Sequence, residues 1–241
     1  MQMVILAGGL GTRLGKLSER TPKSMIRVSG KPFLQHQIEL LKEKGISRIL
    51  LCIGHLGEAI RDYFGSGDGF GINIQYSDEG EEFLGTGGAL KKAGKLLDDN
   101  FFLMWGDSYL LLDYENIWNC LLKKTDNTCK GLMVVYKNYD NRVKSNVVIK
   151  DGKVILYDKW HSNPNPNMIY IDNGLSVLNK SILKDVPSIK SYAVEKVFKK
   201  WAELGKLDAY ETKQPFYEIG SLSGLKEFEE FISHKEFIKE A

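Results

Sequence analysis

Short apolar runs recur through the first half of the chain and are its most regular feature. They occupy residues 3–6, 49–53 and 101–105. Runs of this length that are apolar at every position are typical of strands buried on both faces of a parallel sheet. We therefore expect three buried strands in this half.

Between these runs the pattern changes to helical and alternating segments. Apolar side chains at helical spacing predict a helix over residues 34–41, ending near Gly45, and a second over residues 59–64. Residues 72–76 alternate between apolar and polar side chains, as a strand does. Strands that alternate with helices predict an α/β fold with a Rossmann-like, doubly wound mixed sheet that is mostly parallel.

Shorter strands follow in the second half of the chain. Residues 131–136, 146–150 and 153–157 have strand-like patterns, and Asp151-Gly152 is a strong signal for a hairpin turn between the last two. We expect these strands to form a small antiparallel extension of the first sheet.

Helical spacing returns over residues 192–204 and 223–232, and no repeat or low-complexity linker divides the chain. At 241 residues the chain is long enough for one compact α/β unit with a full core. We expect a single domain over residues 1–241, made of a first half, 1–125, and a second half, 126–241.

Composition disfavours several classes of protein. The 33 Lys and Arg residues nearly balance the 31 Asp and Glu residues, and a formal charge of +2 gives no bulk electrostatic case for nucleic acid or an anionic membrane. The three cysteines form no C-x-x-C pair, and no apolar run approaches the roughly 20 residues that cross a bilayer. No basic segment precedes the first apolar run, as it would in a secretion signal. From all these observations we expect a cytoplasmic protein without nucleic-acid or membrane partners.

A glycine loop follows the first predicted strand. Gly8, Gly9 and Gly11 remove side chains at the carboxyl end of a strand, where α/β sheets bind ligands, and their N–H groups could cradle an anion. A tight turn would explain the same glycines, and neither the dinucleotide fingerprint nor the P-loop pattern fits. Arg13 and Lys23 follow closely, and their position favours an anion site over ordinary surface charges.

Two further features follow later strands. Asp107 comes just after the third apolar run, where a carboxylate suits either Mg²⁺ or a simple turn. Gly85, Gly87 and Gly88 form a second glycine cluster, which opens a predicted helix over residues 89–97. Two glycine loops on one sheet suggest that a flat group, such as a nucleobase, lies against the backbone; a flexible connection is the alternative reading.

Together these motifs resemble those of the sugar-1-phosphate nucleotidyltransferases. That family's opening signature, L-A-G-G-x-G-T-R-L followed by T-P-K, matches residues 6–14 and 21–23. The second glycine cluster and the short length look most like the bacterial heptose- or mannose-1-phosphate guanylyltransferases. Later matches are Gly30-Lys31-Pro32, Gly85-Thr86-Gly87-Gly88, Gly106-Asp107, Asp158-Lys159, Asn173-Gly174 and Glu218-Ile219-Gly220.

The resemblance implies a role for each matched residue. Arg13 would hold the departing phosphates, and Lys23 would bridge phosphates near the reacting centre. Mg²⁺ would be held by Asp107 and Glu218. The first half of the chain would bind the nucleotide, through Leu6, Ala7, Gly8, Gly9, Gly11, Thr12, Gly87 and Gly88. The second half would bind the sugar phosphate, through Asp158, Lys159, Asn173 and Gly174.

Three positions depart from the family's pattern. Glu218 stands where the family usually has a metal-binding aspartate, so either the longer side chain still reaches the metal or the metal geometry shifts. Trp105 replaces a common asparagine, and Trp160 replaces a proline or small residue. Core packing is the favoured explanation for both indoles, and a reshaped substrate pocket is the alternative.

The resemblance implies in-line attack by a sugar 1-phosphate oxygen on the α-phosphorus of a nucleoside triphosphate, with pyrophosphate leaving and no protein nucleophile. GTP with a hexose or heptose 1-phosphate is the best single expectation. UTP, CTP or dTTP, a phospho-alcohol acceptor, and a catalytically silent binding protein are the alternatives. Retention of Arg13, Lys23, Asp107 and Lys159 favours an enzyme. Because members of the family often form oligomers, the resemblance also allows a homo-oligomer.

Overall fold

The structure is a computed structural model. It describes residues 1–9, 11, 14–15, 20–80, 82–123, 128–139, 141, 143–163, 165–188 and 191–240, with side chains as far as residue 235. Thr12 and Arg13, two of the predicted site residues, lie outside the described residues.

Strands and helices alternate through the first half and cluster by type in the second. The strands are β1 (Gln2–Leu6), β2 (Arg27–Val28), β3 (Lys31–Pro32), β4 (Arg48–Ile53), β5 (Asn73–Asp78), β6 (Asn100–Trp105), β7 (Ser108–Leu110), β8 (Gly131–Lys137), β9 (Val147–Lys150), β10 (Lys153–Tyr157), β11 (Tyr170–Asn179), β12 (Leu207–Thr212) and β13 (Phe216–Glu218). The α-helices are α1 (Phe33–Glu43), α2 (Gly57–Phe64), α3 (Gly85–Lys92), α4 (Tyr114–Leu122), α5 (Glu195–Glu203) and α6 (Leu222–Glu240). Short 3-10 turns occupy Lys23–Met25, Asp68–Phe70, Ala93–Leu96 and Lys180–Lys184.

One mixed sheet organises the described residues, with nine strands in the order β5-β4-β1-β6-β11-β8-β12-β10-β9. Strands β5, β4, β1 and β6 are mutually parallel, and β11 then pairs antiparallel with both β6 and β8. Beyond the parallel pair β8 and β12, strand β10 pairs antiparallel with β12 and β9. The predicted α/β fold with a mixed sheet and an antiparallel extension is confirmed, but the sheet is not mostly parallel, since only four of its nine strand pairings among the described residues are parallel.

The parallel strands end level with one another. Leu6 pairs with both Cys52 and Trp105, and Cys52 pairs in turn with Ser77. Because carboxyl ends of parallel strands lie at the same edge, the segments that follow β1, β4, β5 and β6 meet there. This edge is where the predicted first glycine loop and Asp107 come together.

Apolar side chains fill both faces of the sheet. On one face, α1, α2 and α4 bury residues such as Leu34, Ile60 and Ile117 against the strands. On the other face, α3 and α5 contribute residues such as Leu90 and Phe198. A third cluster, in which α6 packs over the two-stranded β7 and β13 ladder, is built from Val28, Phe33, Tyr109, Ile219, Phe228 and Ile232.

Several elements differ from the prediction. The helix predicted over residues 89–97 begins earlier, at Gly85, so the second glycine cluster forms its first turn. The helix predicted from residue 192 begins at Glu195, and the last helix continues to Glu240. The hairpin at Asp151 and Gly152 is confirmed, with both residues at positive φ as a two-residue turn requires.

Strand β11 was not predicted, although it spans ten residues. Its apolar pattern is interrupted by Asp172, Asn173 and Gly174, and its register with β8 shifts between Asp172 and Ser176. A bulge of this kind breaks the alternation on which strand prediction depends. No helix among the described residues is long and apolar enough to cross a membrane.

Candidate active site

A cleft of about 570 Å³ opens at the carboxyl edge of the parallel strands. The first glycine loop and the segments after β5 and β6 form one side, and β11 with α5 forms the other. Predicted site residues that line it are Leu6, Ala7, Gly8, Gly9, Gly11, Lys23, Asp107, Lys159, Asn173, Gly174 and Glu218.

The first glycine loop is open to the cleft. A Cβ on Gly9 would meet no described atom within 4 Å, so its backbone faces space that a ligand can fill. Gly8 is different, since a Cβ there would lie 2.8 Å from Glu79 Oε1 and 3.2 Å from the Gly54 nitrogen. Glycine at position 8 therefore lets the loop approach β4 and β5 closely.

A close approach between β1 and β6 places Asp107 beside this loop. The Gly106 N–H donates to the Leu6 carbonyl oxygen at 3.0 Å, and a Cβ on Gly106 would lie only 2.6 Å from that oxygen. The carboxylate of Asp107 accepts a hydrogen bond from the Lys23 ammonium and forms an ion pair with it. A cation and a carboxylate therefore stand together next to the glycine loop.

The β7 and β13 ladder brings in Glu218 from the end of the chain. Glu218 pairs with Ser108, and the Ile219 N–H donates to the carbonyl oxygen of Asp107 at 3.0 Å. The Glu218 carboxylate accepts hydrogen bonds from the Gly220 N–H and from the Ser221 hydroxyl, the latter at 2.8 Å. Two carboxylates distant in sequence thus line one part of the cleft.

These two carboxylates suit a magnesium ion that completes its coordination with substrate. Mg²⁺ usually takes one or two protein carboxylates together with phosphate oxygens and water. Among the described residues, no group of three or more His, Cys, Asp or Glu side chains is placed to hold a metal by itself. The pair formed by Asp107 and Glu218 fits a site in which the protein supplies two carboxylates and phosphate oxygens and water supply the other ligands.

Lys159 occupies the other side of the cleft. Its ammonium donates to Glu195 Oε1 at 2.7 Å and lies 4.8 Å from the centre of the Trp105 ring. Burial by itself lowers the pKa of Lys159, but the charge and hydrogen bond of Glu195, with smaller contributions from Asp172 and Asp107, outweigh burial and raise the pKa. Lys159 is therefore a positively charged side chain in the cleft, and Glu195 fixes its position.

The bulge in β11 points polar groups toward Lys159. Gly174 has φ +96°, and a Cβ there would lie 2.6 Å from Ser108 Oγ. Asn173 is only 2% exposed, yet neither its amide nitrogen nor its amide oxygen has a hydrogen-bond partner among the described residues. Burial raises the pKa of Asp172, although Lys159 opposes the shift. An unpartnered buried amide in a cleft indicates a ligand-binding group.

Three predicted residues, Gly87, Gly88 and Asp158, are not among those that line the cleft. The N–H groups of Gly87 and Gly88 both donate to the Tyr192 carbonyl oxygen, so this part of the second glycine cluster packs on the segment before α5. Asp158 pairs with Lys199 at 2.7 Å instead of facing the sugar side. Direct contact of these residues with a ligand stays a prediction.

The two tryptophans that differ from the family's pattern, Trp105 and Trp160, lie in different environments. Trp105 is half-buried and lines the cleft, with the Lys159 ammonium over its ring. Trp160 is 56% exposed, so core packing is wrong for this residue. The substitution of Trp105 for asparagine therefore changes the wall of the cleft itself.

Sequence reasoning missed three carboxylates that line the cleft, Glu79, Asp172 and Glu195. Glu195 is 4% exposed and joins Lys159 to the Thr86 hydroxyl, which donates to Glu195 Oε2 at 2.7 Å. Each of the three lies at or near the end of an element whose bounds were not predicted correctly, or inside the unpredicted β11. The only sign of Glu195 in the sequence is that it is a charged residue near the start of a helical pattern.

Fold and cleft together define an α/β protein that can bind phosphorylated ligands at the carboxyl edge of its sheet. The chain belongs to the nucleotidyl transferase family, whose model matches residues 2–153.

Characterised relatives cover most of the chain. The D-glycero-α-D-manno-heptose 1-phosphate guanylyltransferase of Aneurinibacillus thermoaerophilus is 32% identical over 203 residues, 82% of this chain and 83% of that protein. A UTP–glucose-1-phosphate uridylyltransferase of Synechocystis sp. is 27% identical over 243 residues, 87% of this chain and 61% of that protein. The crystal structure of HddC from Yersinia pseudotuberculosis complexed with GMP-PN matches with a TM-score of 0.80 at 29% identity, covering 96% of this chain and 99% of that one.

Proposed function

We propose that this protein transfers a nucleotidyl group from a nucleoside triphosphate to a sugar 1-phosphate, releasing pyrophosphate. The observation that carries the proposal is that two separate pairs of lysine and carboxylate share one cleft. Lys23 pairs with Asp107, and Lys159 pairs with Glu195. Two anionic reactants can therefore be held side by side, each against its own cation.

The nucleotide side is formed by the first glycine loop, Lys23 and the two metal carboxylates. The open backbone at Gly9 can approach the phosphates, and Lys23 can neutralise them. Thr12 and Arg13 are assigned to the triphosphate by their match to the family signature. Mg²⁺, bound by Asp107 and Glu218 together with phosphate oxygens, would supply charge neutralisation at the reacting phosphate.

The sugar phosphate side is formed by Lys159, Asn173 and Gly174. Lys159 can pair with the phosphate, whose attacking oxygen must then face the α-phosphorus of the nucleotide. Asn173 can donate and accept hydrogen bonds through its free amide, as the hydroxyls of a sugar require. In this proposal Gly87 supports the site by packing on the segment before α5, and Asp158 has no part in binding.

GTP and a heptose or hexose 1-phosphate are the proposed substrates. The match to heptose 1-phosphate guanylyltransferases over most of the chain supports this choice. We also propose a cytoplasmic location and the division into a nucleotide half, 1–125, and a sugar phosphate half, 126–241. A homo-oligomer is proposed from the same resemblance.

The test measures pyrophosphate release with Mg²⁺, the four common nucleoside triphosphates and a panel of sugar 1-phosphates. Turnover with one pair is expected, and Asp107→Asn should reduce it about a thousandfold because the metal loses a ligand. Asp98→Asn is the matched control, since Asp98 pairs with Arg48 at the amino ends of the strands and should leave turnover unchanged. Nucleotide binding without turnover of any pair would contradict the proposal.

A second pair of variants tests the sugar side. Lys159→Gln should raise KM for the sugar phosphate, with a smaller effect on KM for the nucleotide. Lys199→Gln removes a lysine from α5 that pairs outside the cleft, and it should leave both constants close to those of the unaltered protein. An unchanged sugar phosphate KM in Lys159→Gln would remove Lys159 from the site.

A further inference from the structure

One buried polar side chain of α1 bonds to the turn that carries Asp107. Gln37 is 1% exposed and lies among the buried residues of that helix. Its amide nitrogen donates to the Ser108 carbonyl oxygen at 2.6 Å and to the Trp105 carbonyl oxygen at 3.3 Å. These carbonyl groups stand directly before and directly after the two turn residues, Gly106 and Asp107. A single side chain therefore holds both ends of the turn.

Packing does not explain a glutamine at position 37. Its amide oxygen is buried and has no hydrogen-bond partner among the described residues. A buried polar atom without a partner is unfavourable, and methionine would fill a similar volume without one. The benefit of Gln37 therefore lies in the two hydrogen bonds that its nitrogen donates.

The turn itself offers few other means of fixing the Asp107 carboxylate. Gly106 has no side chain to pack, because a Cβ there would lie only 2.6 Å from the Leu6 carbonyl oxygen. The Asp107 carboxylate pairs with the Lys23 ammonium, and a contact between two side chains does not fix the backbone beneath them. The position of the carboxylate therefore depends on the backbone hydrogen bonds of the turn and of its two ends.

Gln37 also reaches the strand pair that carries Glu218. Ser108 begins β7 and pairs with Glu218 of β13, so the 2.6 Å hydrogen bond to Ser108 fixes the ladder at the point where Glu218 joins it. Mg²⁺ demands near-ideal octahedral geometry with short bonds to its oxygen ligands. A small displacement of either carboxylate would therefore weaken the metal site.

We propose that Gln37 is a positioning residue for the metal site, which sets the relative positions of Asp107 and Glu218 through the backbone of the turn. This inference rests on the proposed function and deepens it. Loss of a group that orients metal ligands typically lowers metal affinity or activity by about tenfold to a hundredfold. Gln37 is not among the residues that line the cleft, so its loss should not change the contacts of a metal-free nucleotide.

The experiment measures, by calorimetry and without sugar phosphate, the binding of the nucleotide that supports turnover. Affinity is determined once with Mg²⁺ and once in EDTA, and the ratio of the two reports the contribution of the metal. In Gln37→Met this ratio should fall about tenfold or more, while the affinity in EDTA stays within about twofold of the unaltered value. The Mg²⁺ concentration that gives half-maximal turnover should rise by a similar factor.

Gln37→Asn is the second variant. It keeps the amide group but is one methylene shorter, so its nitrogen should not reach both carbonyl oxygens, and the same ratio should fall. Urea unfolding identifies which of the two variants is folded, and a folded one suffices for the test. A purely structural role for Gln37 would lower both affinities together and leave their ratio unchanged.

Gln35→Met is the matched control on the same helix. The Gln35 amide bonds to Glu39 and Tyr63 outside the cleft, so the ratio should stay that of the unaltered protein. An unchanged ratio in the folded Gln37 variants would overturn the inference while leaving the nucleotidyl transfer proposal intact. Failure of the proposed function would instead be seen as no turnover of any nucleotide by the unaltered protein.

Discussion

The two glycine clusters of this protein have similar sequences and different uses. The first, at Gly8, Gly9 and Gly11, lines the cleft, and Gly9 faces open space. The second packs against the backbone just before α5: Cβ atoms on Gly85 and Gly87 would lie 2.8 Å and 3.0 Å from the Tyr192 carbonyl oxygen. Absence of a side chain leaves open space at Gly9 of the first cluster, whereas at Gly85 and Gly87 of the second it permits close backbone packing, as it also does at Gly8.

The difference shows that glycine content alone does not identify a binding loop. The second cluster also reaches the cleft, because Gly85 and Thr86 line it and Thr86 joins Glu195 and thereby Lys159. We call this region, Gly85 to Gly88 with the start of α5, the α3 and α5 contact. We propose that this contact positions a binding residue, Lys159, and that the first loop binds the ligand itself.

The sharpest test of this difference is Gly85→Ala. The new Cβ would meet the Tyr192 carbonyl oxygen at 2.8 Å, and the residue has φ +69°, which an alanine rarely adopts. Strain and overpacking together should lower the free energy of unfolding by about 2 to 4 kcal/mol. Urea unfolding in the absence of ligand measures the change.

Gly9→Ala is the control for that experiment. Its Cβ would meet nothing within 4 Å, so the unfolding free energy should stay within about 0.5 kcal/mol of the unaltered value. The methyl group would instead occupy space for the nucleotide and should raise KM for it. Equal destabilisation by the two variants would abolish the distinction between the clusters.

A smaller effect is expected for Thr86→Val. The Thr86 hydroxyl accepts the N–H of Val194, a fully buried residue, at 2.9 Å, and valine would leave this N–H without a partner. The cost should be about 1 to 3 kcal/mol in unfolding free energy. KM for the sugar phosphate should also rise, because Glu195 loses one of its two contacts.

Thr86→Ser separates these causes, since it restores the hydroxyl and removes only a methyl group. We expect it to recover most of both losses. If serine and valine gave the same KM, the hydroxyl would have no part in positioning Lys159.

The smallest expected effect concerns the ion pair of Asp158 and Lys199 on the outer side of α5. The hydrogen bond from Lys199 is the main cause that lowers the pKa of Asp158 below its usual 3.8. A carboxyl with a lowered folded-state pKa stabilises the protein above pH 3.8, and this contribution is lost as the pH falls through the lowered value. For a partly exposed pair of this kind it should be about 0.5 kcal/mol.

Asp158→Asn should therefore cost about 0.5 kcal/mol near neutral pH and nothing at low pH, where the aspartate is protonated in both states. Urea unfolding at the two pH values measures the difference. Sugar phosphate KM should not change, because Asp158 lies outside the cleft. A large change in KM would return Asp158 to the binding site.

Regular patterns in the sequence predicted the first half of the fold well. The inner strands are uniformly apolar because both of their faces are covered, and their positions follow directly from that pattern. Strand β11 could not be found in the same way, since Asp172 and Gly174 serve the cleft and interrupt the apolar run. At these positions, residues that line the cleft replace the apolar residues of a regular strand, so the sequence pattern does not show the strand.

The candidate site was predictable where a residue belongs to a contiguous motif. Lys23, Asp107 and Lys159 follow from short motifs and line the cleft. Glu79 and Glu195 did not follow, because each is a single acidic residue whose importance arises only from the neighbours that folding brings to it. For Gly87 the structure adds a packing contact that the motif does not indicate, with the Tyr192 carbonyl oxygen.

The ladder between β7 and β13 sets the order in which the cleft can be completed. This pairing brings Glu218 to Asp107, and it joins residues more than a hundred positions apart along the chain. During synthesis the glycine loop and Asp107 emerge long before Glu218. The Glu218 carboxylate is therefore made long after Asp107, and the proposed metal site can be complete only once residue 218 has been synthesised.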